Sequence, residues 1–322
     1  MSKACKVAGF FLILSLSTGC AYFLPQSSAL IKQYPDGILT KVELTQVPFY
    51  PQEKYQCGPA TLAMALNAAG VSVRPEELVD QIYIPARKGS LQVEMIASTR
   101  RHGLIAYELA PNLADVLKEI NGGTPVIVLE NYSFGLNSIW HYSIAIGFDL
   151  NEKRIIRRSG LHAYESMPFG AFEYLWKSDG HWAMVAISPD RLPATATLDR
   201  YLNAVMALER SGQIKAAHIA YGTLLKQWPD SLAGQMGLGN TAYAMHDLVS
   251  AKDTFLKATQ DHPEAVAAFN NLAMVYLELG ETDAAIVTAE HAVSLGGTLI
   301  EEVKSTLYEI KQKLKTDQLT KN

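Results

Sequence analysis

Pro229 and Pro263 stand 34 residues apart in the last third of a 322-residue chain, and the same spacing recurs at other positions. Ala217, Ala251 and Ala285 share one offset, and Tyr221, Phe255 and Ala289 share another. Gly212 and Gly280 share a third, with His246 in the middle copy, and Leu238-Gly239 corresponds to Leu272-Ala273. From Thr197 onward the chain is Ala- and Leu-rich with helical periodicity. A unit of this length cannot bury its apolar face alone, so successive units must stack into a solenoid of paired helices. Three units are expected at 198–231, 232–265 and 266–297, with the glycines at the turns. Leu299–Leu314 is amphipathic and is expected to cap the last exposed face. Repeats specify a scaffold and not its ligand, so two roles stay open: a spacer, or a concave surface for a peptide or partner protein.

The 34-residue pattern resembles tetratricopeptide repeats. It occupies 197–297, with a capping helix and tail at 298–322. The rest of the chain differs in character. Hydrophobic residues make up 48% and charged residues 19% of the whole, which excludes intrinsic disorder as the main state. The net charge of −4 argues against a general nucleic-acid binder. The three cysteines, Cys5, Cys20 and Cys57, are too few for a disulfide scaffold or a cysteine zinc site. Residues 1–19 begin with Lys3 and Lys6, continue through an apolar run from Val7 to Leu16 and end on small residues before Cys20. That is the pattern of a secretory signal, too short for a spanning helix. The ending Leu-Ser-Thr-Gly-Cys resembles the lipobox of bacterial lipoproteins, which implies lipid on Cys20. The expected location is the bacterial cell envelope, on the periplasmic side. Ala21 in place of an Asp favours the outer membrane. Residues 20–40, with Pro25, Ser27, Ser28 and Pro35-Asp36-Gly37, read as a tether.

Residues 41–190 mix two periods. Lys41–Phe49 is expected to be extended. Gly58–Ala69 predicts a helix, with Pro59 in its first turn and Gly70 past its end. Helices are also expected near Pro75–Ile82, Leu91–His102 and Asn112–Asn121. Thr124–Leu129, His141–Phe148, Arg154–Arg158 and His181–Ile187 then read as strands, with Asp149–Lys153 a polar turn. Helices first and an antiparallel sheet after them make an α+β layout.

The stretch Gln52-Glu53-Lys54-Tyr55-Gln56-Cys57-Gly58-Pro59-Ala60 places a thiol at the start of a helix. Free N–H groups and the helix dipole favour an anion there and are expected to lower the thiol pKa. Gly58 is expected to leave room for a substrate carbonyl beside the sulfur. A nearby Gln could donate to an oxyanion. A nucleophilic Cys needs a base. His141 opens a strongly apolar strand and is the leading candidate; His181, also at a predicted strand start, is its rival. HExxH, GxxxxGK[ST] and His–carboxylate clusters at metal spacing are absent, so no cofactor or metal is expected.

Gln-x4-Cys-Gly-Pro-Ala-Thr before an apolar helix, with His-Tyr opening a strand some 80 residues later, resembles the bacteriocin-processing, double-glycine cysteine peptidases over about residues 45–188. Linked to a lipobox and repeats, it is similar to an envelope branch of that superfamily. The resemblance implies a papain-like domain with Cys57 as nucleophile and His141 as general base and then acid. Gln52 and the Cys57 backbone N–H would form the oxyanion hole. The family often places its Gln six residues before the Cys; Gln52 is five before it, and Gln56 is adjacent. An Asp usually follows the His at the end of the next strand. Here that stretch reads Arg157-Arg158-Ser159-Gly160, so Ser159 is the candidate orienter, while Asp149 falls at the far end of the hairpin. The implied function is a secreted, lipid-anchored cysteine peptidase acting on peptides or proteins, with the repeats docking substrate or partner. A weakly active or inactive adaptor is the alternative, and a thiol-dependent transferase or amidase a third.

Overall fold

The computed structural model describes residues 24–52, 56–132 and 138–320, with side chains as far as residue 316. The expected signal segment 1–19 and Cys20 lie outside the described residues. The chain divides into two compact units. Unit 1 holds residues 1–188 and 193–196, and unit 2 holds 189–192 and 197–322.

Unit 1 is α+β. Its seven strands are β1 (Lys41–Glu43), β2 (Ile105–Glu108), β3 (Val126–Asn131), β4 (Trp140–Asp149), β5 (Arg154–Ser159), β6 (His162–Pro168) and β7 (Ala183–Ile187). They form one antiparallel sheet in the order β2-β7-β3-β4-β5-β6, with β1 also paired to β4. The central β3 and β7 are buried along their whole length, and β4 is buried from Tyr142 onward. Such strands read as continuous apolar runs, which is why TPVIVL and HYSIAIGF were legible without alternation.

The α-helices of the unit among the described residues are α1 (Pro25–Lys32), α2 (Cys57–Ala68), α3 (Pro75–Ile82), α4 (Gln92–Arg101), α5 (Leu113–Asn121) and α6 (Phe169–Trp176). Helix α2 packs on β3, β4 and β7. It is buried on all sides from Gly58 to Leu66, as expected for a helix made almost wholly of Ala, Leu, Met and Thr. Asn112 caps α5 by accepting the Ala114 N–H.

The layout differs from the sequence reading in five places. Strand β2 lies among the helices and α6 within the strand region. Only Lys41–Glu43 of the expected extended stretch pairs in the sheet. His162–Pro168, unassigned from sequence, is the edge strand β6, and its mostly exposed face hides its period. The expected tether contains helix α1, because tertiary contacts hold it. Glu173 accepts from the N–H groups of Gln26 and Ser27, at 3.0 and 2.7 Å. The Gln26 side chain bonds Leu113 N and Pro111 O.

Unit 2 is a run of paired helices: α7 (Leu198–Arg210) with α8 (Ile214–Gln227), α9 (Leu232–Ala244) with α10 (Leu248–Asp261), and α11 (Val266–Glu278) with α12 (Thr282–Leu295). Gly212 and Gly280 turn between partners at φ +83° and +78°, and His246 takes the same left-handed place at φ +60°. Phe255 packs so tightly on α9 that a Cβ at Gly239 would lie 2.5 Å from its ring. Helix α13 (Ile300–Thr320) covers the last pair with Ile310, fully buried against Ala273, Leu277, Ala285 and Ala289. No helix among the described residues is long and apolar enough to cross a membrane.

Candidate active site

Cys57 is the first residue of α2. Gln56 precedes it with no side-chain cap, so the first N–H groups of the helix stay open. Pro59 carries none, which leaves those of Cys57 and Gly58, and both lie against the sulfur with the Tyr142 N–H. His141 is the second residue of β4, half-buried, where the strand emerges from the sheet. Gln52, Cys57, His141, Tyr142 and Gly160 line one open cleft of about 640 Å³, closed on another side by Arg87–Gln92.

Gln52 is fixed by four hydrogen bonds. Its N–H donates to Gly160 O at 3.0 Å, and its Oε1 accepts from Gly160 N at 3.0 Å. Nε2 donates to Thr61 Oγ1 at 3.0 Å and reaches Tyr142 O at 3.4 Å. Thr61 Oγ1 itself donates to the Tyr142 carbonyl at 3.2 Å. Gln56 faces elsewhere, toward a separate cavity beside Tyr50, Glu76 and Asp80.

Ser159 ends β5, and its Oγ lies 3.0 Å from His141 Nε2. That contact leaves Nδ1 as the ring nitrogen not engaged by Ser159. The rival His181 is not in the cleft. It sits before β7 in a left-handed turn at φ +62°, edge-on to Trp176 at 4.9 Å, a packing role. Asp149 pairs with Lys41 at 3.1 Å, at the opposite end of β4 from His141.

Two local expectations are corrected. The N–H groups at the helix start do act to lower the thiol pKa, but burial outweighs them and pushes Cys57 up. The space at Gly58 is not open for substrate either. Ser90 fills it, and a Cβ there would lie 2.7 Å from Ser90 Cβ. Gly58 is needed so that the Ser90 segment can close against α2. Gly58→Ala is expected to displace that wall of the cleft and destabilise unit 1 by about 1–3 kcal/mol, the usual cost of overpacking, read from chemical denaturation.

His141 is held down to about 4, first by burial and then by the neighbouring Arg157 cation. The resting site therefore pairs a neutral thiol with a neutral imidazole. Between about pH 6.5 and 4 the unfolded chain protonates this ring and the folded chain does not. Stability is thus expected to fall as pH drops through that window. Denaturation midpoints measured across it should flatten in His141→Gln.

Sequence reasoning missed Thr61, Ser90, Tyr142 and the ion cluster around Arg157. In RIIRR nothing separates Arg157, fully buried, from its half-buried neighbour Arg158. Among the described residues no group of three or more His, Cys, Asp or Glu is placed to hold a metal ion.

The antiparallel sheet, the helix-borne cysteine and the strand-borne histidine make unit 1 a papain-like domain. Residues 44–184 match the model of the Peptidase_C39 like family, and residues 236–293 match that of the tetratricopeptide repeat. Among solved structures, a putative C39-like peptidase from Bacillus anthracis is 20% identical. That match covers 46% of this chain and 97% of that one at a TM-score of 0.40. The TPR2B domain of yeast Sti1 in its pHsp70 complex is 17% identical, with 36% and 97% covered at 0.35. The type III secretion translocator chaperone SycD of Yersinia enterocolitica is 22% identical, with 37% and 86% covered at 0.35. No curated protein matches the chain.

Proposed function

We propose that the chain is a cysteine peptidase of the bacterial envelope, anchored by lipid on Cys20, whose repeats dock the substrate or a partner protein. The observation that carries the reading is the convergence of Cys57, His141 and Gln52 on one cleft, with Ser159 bonded to His141 Nε2.

The resting pair is neutral, so the thiol gives its proton to His141 as sulfur attacks the peptide carbonyl carbon. The oxyanion that forms takes the Cys57 N–H and one Gln52 Nε2 proton. The proton available is the one in the long 3.4 Å contact with Tyr142 O, because Thr61 already serves that carbonyl. Collapse breaks the C–N bond, and His141 passes its proton to the leaving amine. Water, deprotonated by His141, then hydrolyses the thioester and frees Cys57. Ser159 holds the ring in plane without adding charge.

The test is incubation of the full chain with a proteome-derived peptide mixture in H₂¹⁸O. Cleavage is expected to give new C-termini carrying one ¹⁸O and an acyl adduct on Cys57. Transfer to an added amine in preference to water would point to a transferase. One observation favours the adaptor reading: both reacting groups are held in their uncharged forms. No cleavage, together with partner capture that survives Cys57→Ala, would establish the adaptor instead. The outer membrane is the proposed location. Loss of membrane association in Cys20→Ala checks the anchor.

A further inference from the structure

Behind His141 lies a buried ion cluster that the steps above do not use. Arg157 on β5 and Glu130 on β3 are both fully buried and joined by an ion pair. Arg157 Nη2 donates to the Tyr132 hydroxyl and pairs with Glu165 on β6 at 3.1 Å. Ser143 Oγ donates to Glu130 Oε2 at 2.9 Å. Glu130 Oε1 and Arg157 Nε have no hydrogen-bond partner among the described residues.

Folding alone does not account for this cluster. Buried ion pairs are commonly replaceable by well-packed apolar residues with no loss of stability. Its placement supplies the reason. Glu130 is the register partner of His141 across β3 and β4. Tyr132, two residues further along, sets its ring edge-on to the imidazole, 5.9 Å between centroids at 78°. The Arg157 guanidinium lies over the Tyr132 ring at 5.8 Å. Arg157 also stands two residues before Ser159 on β5, with a register shift against β6 between them. Tyr132, which packs on the His141 ring, is therefore seated by Arg157.

We propose that Arg157, clamped by Glu130, Glu165 and Tyr132, is a positioning residue for His141: it seats Tyr132 against the ring and fixes a cation beside it. The proposal rests on His141 being the base for Cys57. Among the described residues, Glu130 and Tyr132 from β3 and Arg157 from β5 lie on the ring's inner side, with Glu165 from β6 behind Arg157, and Cys57, Arg87, Lys88 and Asp179 line the cleft with it. Arg157 is the charge that bears on the ring, and it acts in the same direction as burial.

The test is an NMR titration of the His141 ring in the full chain, assigned with His141→Gln. It runs beside iodoacetamide alkylation read by mass spectrometry on the Cys57 peptide. Removing both charges, in Arg157→Met/Glu130→Gln, is expected to raise the His141 midpoint part of the way from about 4 toward the ordinary value near 6.5. Burial keeps the remainder. Arg157→Lys retains the cation and is expected to keep the midpoint low. If the first pair does not fold, Arg157→Gln/Glu130→Gln keeps hydrogen-bonding groups and removes the same charges. A structural role alone would lower the melting temperature and leave the midpoint in place. An unchanged midpoint in the charge-free variants, or an equal rise in Arg157→Lys, overturns the proposal. Alkylation whose pH profile ignores His141→Gln would overturn the cysteine–histidine reading and the proposal with it, whereas the midpoint result bears on Arg157 alone.

Discussion

Cys57→Ala is expected to bring peptide cleavage to background, because it removes the atom that forms the acyl-enzyme. Gln52→Ala should lower kcat by about 10²–10³, the usual loss for one oxyanion donor. His141→Ala should lower it by about 10²–10⁴, the range for a general acid–base group. These losses will not add. Once sulfur is gone, nothing is left for His141 or Gln52 to assist, so the triple variant should match Cys57→Ala. Gln52→Ala has a second effect of a different kind. Its side chain accepts from Gly160 N and donates to Thr61, so its removal also loosens the end of β5 that carries Ser159. Gln52→Glu keeps the acceptor and the shape but loses the donor. A kcat loss in Gln52→Glu with an unchanged denaturation midpoint assigns the donor role. Cleavage retained in Cys57→Ala rejects the nucleophile outright.

The largest stability effect is expected at Arg157. Arg157→Ala leaves Glu130 buried without its cation, so a carboxyl that burial already raises to about 7 must be desolvated alone or take a proton, and breaking a buried pair from one side costs about 3–5 kcal/mol. For a domain of this size that is a fall of about 10 °C in the melting temperature of unit 1. The cost comes from the stranded carboxylate and not from the worth of the pair. Arg157→Met/Glu130→Gln should therefore recover much of the loss, although it removes more of the cluster. Calorimetry of the two variants decides the matter. If the double variant is no more stable than Arg157→Ala, the stranded carboxyl is not the cause.

Much of this protein was legible in its sequence because the signals are local. The 34-residue offsets specify stacked helix pairs, since small residues must recur wherever helices approach closely, as Gly239 does under Phe255. The apolar runs of β3 and β4 mark central strands buried on both faces. Cys57 at a helix start, His141 at a strand start and Ser159 about one hairpin away are placed by counting along strands. The structure sets the Ser159 hydroxyl on the ring at 3.0 Å.

What the sequence could not specify depends on residues far apart in the chain. Helix α1 forms because Glu173, 146 positions from Ser27, accepts its first N–H groups. The Cys57 thiol was expected to be stabilised as an anion by its helix. Tertiary packing buries it, and desolvation outweighs the local N–H groups. Gly58 looked like space for substrate, yet Ser90 arrives from 32 residues away to fill it. Arg157 and Arg158 are alike in a sequence window, and only the sheet decides which is buried beside Glu130. Chain-local patterns mark the repeat helices, helix α2 and the central strands. Burial and charge at a site are sums over neighbours that only the folded chain brings together.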